Sequence, residues 1–153
     1  MFPDATLPLA SGGSLSIDSL RVRYDLVILM LGAGAIDPAA ARLLDALAQG
    51  RDAIEEEEGR VLVVRAADEH TVPSDWRWPF PLLLDAGARL HDRVGAVDAQ
   101  RQPTTSLYIT DRYREIYAAT RPSQTDWPAT HEDVLKWLTF VNIQCPECNP
   151  PEW

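Results

Sequence analysis

The stretch "LVILMLGAGAIDPAAAR", residues 26–42, decides the fold. Its first six residues are all apolar, which is typical of a strand that is covered on both faces in a parallel sheet. Asp37 and Pro38 then combine a good N-cap residue with a proline at the first helical position. Apolar residues recur at helical spacing behind them, namely Ala40, Leu43, Leu44 and Leu47. The stretch therefore predicts a buried strand, a tight corner and an amphipathic helix.

Length, composition and charge limit the classes of protein that need to be considered. The chain has 153 residues and is 46% hydrophobic, which predicts one globular domain with a core of ordinary size. The opening residues have neither a basic start nor a continuous apolar run, so we expect no targeting peptide and a cytoplasmic location. No apolar run approaches the roughly 18 residues that a membrane span needs. A net charge of −9 argues against a sequence-independent grip on nucleic acid.

The segments on either side of the central stretch predict the other elements. A Gly12-Gly13 turn between leucine-rich runs indicates an N-terminal β-hairpin against a sheet edge. The helix is expected to continue to Gly59, and "RVLVVR", residues 60–65, gives a second buried strand, which completes a βαβ unit. A short strand and helix over residues 80–96, a hairpin turning at residues 111–114 and a helix from Thr130 follow. This order predicts a mixed central sheet flanked by helices.

Two glycines between a strand and a helix also suggest a dinucleotide-binding loop, but the residues do not support it. A Rossmann fingerprint needs a third small residue at the position held by Asp37. A carboxylate there would repel the pyrophosphate from the helix N-terminus. The next acidic residues after a strand, Asp68 and Glu69, also lie too far along the chain to hold the ribose.

Three stretches of the chain resemble the redoxin family, which includes the alkyl hydroperoxide reductase/thiol-specific antioxidant proteins and is peroxiredoxin-like. They are "PDATLPLASGGSLSIDSLR", "LVILMLGAGAIDPAAARLLDAL" and "QPTTSLYITDRYREIY", of which the last is the most specific. The resemblance covers residues 3–141 and implies a thioredoxin-like fold for one domain, residues 1–141, followed by a tail, residues 142–153. It also implies that Pro103 is a cis-proline.

The resemblance does not bring the redoxin cysteines with it. In that family the nucleophilic cysteine stands at the N-terminus of the helix after the first central strand, where the helix dipole favours the thiolate. The alignment of this corner places Asp37 at the first cysteine and Ala40 at the second. Asp37 fits a helix cap better than a carboxylate nucleophile. The corner is therefore predicted to be a degenerate active site without thiol chemistry.

The chain has two cysteines, Cys145 and Cys148, and both lie in the tail segment "CPEC". Their spacing is shared by redox dithiols and zinc knuckles, and an ordinary reduced thiol pair is the third interpretation. A knuckle supplies two of the four ligands that zinc usually takes. A homodimer would supply the other two, or histidines would help. The three histidines, His70, His91 and His131, are expected at the surface rather than at a metal.

Two functions of different classes follow from these observations. The first is an antioxidant thiol–disulfide oxidoreductase or peroxidase, acting on a protein or small-molecule thiol or peroxide through Cys145 and Cys148. The second is a non-catalytic binding or assembly module in which the dithiol is structural or binds zinc. The aromatic segment "WRWPFP", residues 76–81, would either line a groove beside Pro103 or plug the core, and we favour the core.

Overall fold

A computed structural model describes residues 1–67 and 76–144. The strands are β1 (Thr6–Pro8), β2 (Ser14–Ser16), β3 (Asp25–Leu31), β4 (Gly59–Ala67), β5 (Leu82–Ala86), β6 (Ser106–Thr110) and β7 (Ile116–Thr120). The helices are α1 (Pro38–Gln49), α2 (Arg51–Glu56), α3 (Arg89–Val94) and α4 (His131–Gln144), with a 3₁₀ turn at Ile17–Leu20. In this part of the chain no helix is long and apolar enough to cross a membrane.

A five-stranded mixed sheet in the order β5-β4-β3-β6-β7 forms the centre of the molecule. Strands β3, β4 and β5 run parallel, and β6 and β7 are antiparallel to their neighbours. All seven residues of β3 are buried, because α1 and α4 cover one face of the sheet and α3 with the N-terminal segment covers the other. The predicted βαβ unit, the second hairpin and the mixed sheet flanked by helices are confirmed.

The N-terminal hairpin, formed by β1 and β2, lies against the outer edge of β5. Leu9 forms an antiparallel bridge with Leu83, and the backbone N–H of Ala10 donates to the carbonyl of Leu82 at 2.9 Å. The prediction of a hairpin at a sheet edge is therefore confirmed.

The helix after the corner does not continue to Gly59, so that prediction is wrong. It ends at Gln49, and the chain restarts as α2 after Gly50. Glycine is a poor helix former, and position 50 has no room for a Cβ atom, which would overlap the ring of His131 at the start of α4. Glycine is the residue that allows the end of α1 and the start of α4 to approach this closely.

The aromatic segment after the undescribed residues 68–75 packs into the core, as we favoured. Trp78 and Phe80 are 9% and 7% exposed, and Trp76 packs against the same cluster. The indole N–H of Trp78 donates to Oδ1 of Asp45 on α1 at 2.8 Å. The segment therefore plugs the α1 side of the sheet instead of lining a groove beside Pro103.

The contact between Gly50 and His131 predicts a specific double-variant result. Gly50→Ala should lower the free energy of unfolding by about 1–3 kcal/mol, because the new methyl group overlaps the imidazole ring. Urea denaturation would measure this in the wild type and in a His131→Gly background, because the Cβ atom of His131 would itself lie 2.5 Å from the new methyl group. In that background the cost of Gly50→Ala should largely disappear, and an equal cost in both would show that the ring is not the obstacle.

Candidate functional site

The corner after β3, residues 32–37, is held in place by contacts on two sides. The guanidinium of Arg65 on β4 donates to the carbonyl oxygen of Gly34. A Cβ atom on Gly32 would lie 2.8 Å from the carbonyl oxygen of Pro103, so the corner and the loop before β6 are in direct backbone contact. The segments containing Asp37 and Pro103 are therefore neighbours, as the redoxin resemblance implies.

At the corner itself, Asp37 and Ala40 both have structural roles. Oδ1 of Asp37 accepts the backbone N–H of Ala39 at 2.8 Å, and Pro38 follows as the first helical residue. The predicted N-cap is thus present. Ala40 is fully buried in the core beneath the helix. The two positions that the alignment assigns to cysteines hold a cap and a packing methyl group.

Pro103 is not a cis-proline, so this expectation is wrong. No cis peptide bond occurs among the described residues, which include Gln102 and Pro103. The chain reverses earlier, where Oδ1 of Asp98 accepts the N–H groups of Gln100 and Gln102 and Arg101 adopts a left-handed conformation with φ of 59°. Pro103 then bridges back to Val97. Pro103 therefore follows this reversal through an ordinary trans bond.

A surface depression of about 470 Å³ lies between the corner and the end of β7. The side chains around it include one carboxylate, Asp37, one guanidinium, Arg121, and the hydroxyls of Thr104, Thr105 and Ser123. Nη2 of Arg121 donates to the carbonyl of Gly95 at 2.7 Å, which ties this wall to the loop after α3. The depression is polar, and no thiol lines it among the described residues.

A buried pair, Asp85 and His91, lies beneath the corner, and the expectation that His91 lies at the surface is wrong. His91 is fully buried, with Nδ1 2.7 Å from Oδ2 of Asp85 and Nε2 2.8 Å from the carbonyl oxygen of Leu31. Burial opposes ionisation of Asp85, but hydrogen bonds from the ring and backbone of His91 and from the N–H of Leu90 outweigh it and lower the pKa of Asp85. Both ring nitrogens of His91 thus lie within hydrogen-bond distance of an oxygen atom.

Leu31 is the last residue of β3, so His91 fixes the backbone immediately before the corner. Sequence periodicity could not reveal this because α3 has only six residues. The available signal was Asp85, an acidic residue at the end of an apolar strand and six positions before a histidine.

Cys145 and Cys148 lie outside the described residues, as does His70. Helix α4, which precedes the two cysteines, ends near the start of β3 and β4, where the side-chain amide of Asn142 donates to Glu57 at 3.2 and 3.3 Å. The corner is at the other end of β3, about 20 Å away for a seven-residue strand. Across residues 1–67 and 76–144, no three His, Cys, Asp or Glu side chains form a group that could hold a metal.

Comparison with known proteins supports the fold assignment. No protein-family model and no curated protein matches the sequence. Among solved structures, AhpC of Mycobacterium tuberculosis superposes with a TM-score of 0.72 at 16% identity, over 97% of this chain and 93% of that one.

Two further solved structures agree with it. A putative thiol:disulfide interchange protein DsbE of Chlorobium tepidum superposes with a TM-score of 0.69 at 13% identity, over 90% of this chain and 94% of that one. Peroxiredoxin Q of Xanthomonas campestris superposes with a TM-score of 0.67 at 15% identity, over 94% of this chain and 96% of that one. The chain therefore has the thioredoxin-like fold, and the redoxin resemblance is confirmed at the level of the fold.

A second buried carboxylate lies at the opposite end of β3 from the corner. Asp25 is 1% exposed, and its Oδ2 atom has no hydrogen-bond partner among the described residues. Burial raises the pKa of Asp25 to about 6, although the positive charge of Arg112 opposes the shift. The ionised carboxylate of Asp25 therefore lowers the free energy of unfolding at neutral pH.

The capping role of Asp37 predicts how substitutions at the corner behave. Asp37→Ala should lower the free energy of unfolding by about 1 kcal/mol, because the N–H of Ala39 loses its acceptor. Asp37→Ser, which keeps an acceptor oxygen, should retain most of the stability in the same urea titration. Equal losses in the two variants would contradict the capping role.

The raised pKa of Asp25 predicts a decrease in stability with rising pH. The unfolded chain releases this proton near pH 3.8 and the folded chain near pH 6, so the folded state binds more protons in between. The free energy of unfolding should fall between about pH 4 and pH 6, by roughly 2–3 kcal/mol, and then level off.

Asp25→Asn should remove this decrease. The difference between the wild-type and variant pH profiles separates the contribution of Asp25 from those of the other carboxylates. Asp85 and Asp133 have lowered pKa values, so their stabilising contributions to the free energy of unfolding are lost only as the pH falls towards those values. Parallel pH profiles for wild type and Asp25→Asn would show that Asp25 is not the responsible group.

Proposed function

We propose that this chain is a thiol–disulfide redox protein of thioredoxin-like fold whose chemistry rests on Cys145 and Cys148. The observation that carries the proposal is the pair of tail cysteines, because the two corner positions aligned with redoxin cysteines hold Asp37 and Ala40 and offer no thiol. The chain has two cysteines, both in the tail at dithiol spacing. The fold it shares with a peroxiredoxin and with a putative thiol:disulfide interchange protein supports the same class of reaction.

The proposed reaction is a two-electron exchange. With a disulfide substrate, one thiolate attacks a substrate sulfur and displaces a substrate thiolate, and the second thiol then resolves the mixed disulfide. The products are a Cys145–Cys148 disulfide and a substrate dithiol. With a peroxide, the attacking sulfur becomes a sulfenic acid as an alcohol or water leaves, and the second thiol condenses with it and releases water. An external thiol would return the pair to its reduced state.

The position of α4 supports a dithiol that acts apart from the corner. Asn142 is bound to Glu57 at the start of β4, whereas the corner lies at the other end of the sheet. We therefore infer that redox chemistry in this chain does not use the polar depression beside Asp37 as its reaction site.

The second candidate is a non-catalytic binding or assembly module. It is favoured by the structural use of both corner positions, since Asp37 caps α1 and Ala40 is buried in the core. In this case the dithiol is structural, or it is half of a zinc site that a second copy completes.

A Cys145→Ser/Cys148→Ser variant distinguishes the two functions. Wild type should consume hydrogen peroxide or reduce insulin disulfides in the presence of dithiothreitol, and the double variant should lose this activity. Without an external thiol, the single variant that keeps the attacking cysteine should accumulate a mixed disulfide or a sulfenic acid, and the other single variant should not react. Circular dichroism would confirm that the variants fold.

Equal and negligible turnover in wild type and double variant would contradict the redox proposal. Metal analysis and light scattering would then test the second function. One zinc ion per two chains, lost together with the dimer in the double variant, would support the assembly module.

A further inference from the structure

A second depression, of about 480 Å³, lies between the loop before α4 and the outer surface of that helix. Its walls include three aromatic side chains, Trp127, Trp137 and Phe140, and two carboxylates, Asp126 and Asp133. It shares no lining residue with the depression at the corner. Neither of the functions considered above uses it.

Aromatic rings on and beside α4 pack against one another edge to face. The ring centroids of Trp137 and Phe140 are 6.0 Å apart, and their planes are nearly perpendicular at 89°. Tyr117 supports Phe140 in a second edge contact, at 6.3 Å and 73°. Phe140 is nevertheless 46% exposed, which is unusual for a large apolar side chain that other rings hold in position.

Two aromatic faces elsewhere in the molecule are covered by the chain's own cations. Arg60 stacks over Tyr24 at 4.1 Å, and Arg77 stacks over Trp78 at 4.7 Å. Within the described ranges, no cationic side chain stacks over the three rings of the α4 depression. These rings keep the negative faces that attract a cation.

The carboxylates supply negative charge at the same place. Oδ2 of Asp133 accepts the backbone N–H groups of Ala129 and Thr130, and these bonds lower the pKa of Asp133, so it is ionised at neutral pH. Among the described residues that line the depression, the only cation is Lys136, whose Nζ is 3.8 Å from Oδ1 of Asp133 and whose side chain is 80% exposed. This long, exposed ion pair is weak and easily displaced.

We propose that the α4 depression binds an alkylated ammonium cation, with the cation against Trp137 and Phe140 and with Asp126 and Asp133 as counter-charges. An anion would meet two carboxylates and the negative faces of the rings. A small metal ion would find too few oxygen ligands to replace its hydration shell. An alkylated ammonium group is weakly hydrated and carries apolar methyl groups, so it gains from the rings and from the carboxylates together.

The test uses choline and its neutral carbon analogue, in which a tert-butyl group replaces the trimethylammonium group. Choline should bind saturably to the full chain, as measured by indole N–H shifts and calorimetry, and the neutral analogue should bind about tenfold more weakly or not at all. Binding should weaken as salt is added. Equal affinity for the two compounds, or no saturable binding of choline, would overturn the proposal.

Three variants locate the site. Phe140→Ala should weaken choline binding about fivefold, because the exposed ring face is lost. Ile143→Ala is the matched control, since this residue is 67% exposed on the same helix and does not line the depression. Lys136→Gln should strengthen binding about two- to fivefold, because the competing cation is removed. An unchanged affinity in Phe140→Ala, or a weaker one in Lys136→Gln, would contradict the assignment.

A peptide that carries trimethyllysine identifies the source of the cation. Tighter binding of this peptide than of choline would indicate a cation presented by another protein. Tighter binding of choline would indicate a free small molecule.

Discussion

The burial of β3 on both faces is the constraint on which the rest of the structure depends. Every residue from Asp25 to Leu31 is buried, so the strand needs helices above and below it and strands on both sides. The two ends of the strand must also satisfy their polar groups without water. At one end the Leu31 carbonyl faces His91, and at the other the carboxylate of Asp25 is only partly compensated. Asp25, at one polar end of this apolar strand, is therefore a group whose protonation affects stability.

Much of the fold could be predicted because its signals are local. An apolar run of strand length, an N-cap followed by proline and glycine-rich turns each depend on neighbouring residues, and they indicate β3, α1 and the hairpins. The error at the end of α1 concerns a contact between distant residues. Helix α1 ends at Gln49, and His131 at the start of α4 packs directly against Gly50, the next residue.

The candidate sites were harder to predict for the same reason. His91 has no periodic pattern around it, and its burial depends on an acceptor sixty residues away in sequence, the carbonyl of Leu31. Trp127 and Trp137 are ten residues apart and share a surface only because the loop before α4 lies against the helix. By contrast, the absence of thiols at the corner is visible directly in the sequence at Asp37 and Ala40. What that corner needs physically is an acceptor for the free N–H groups of α1, and a carboxylate meets this need as well as a thiolate would.

The hairpin on β5 also limits how the sheet can grow. A bare sheet edge offers backbone N–H and C=O groups to any other strand, and the contacts of Leu9 and Ala10 occupy the first part of the β5 edge. A new strand on that side would have to displace β1 and β2, whereas β7 forms the opposite edge of the sheet. Two copies joined through β7 would give two five-stranded halves, ten strands in all, with a hairpin at each outer side. Such a sheet would contain only two chains, because a hairpin would cover each outer edge and prevent a third chain from adding a strand there.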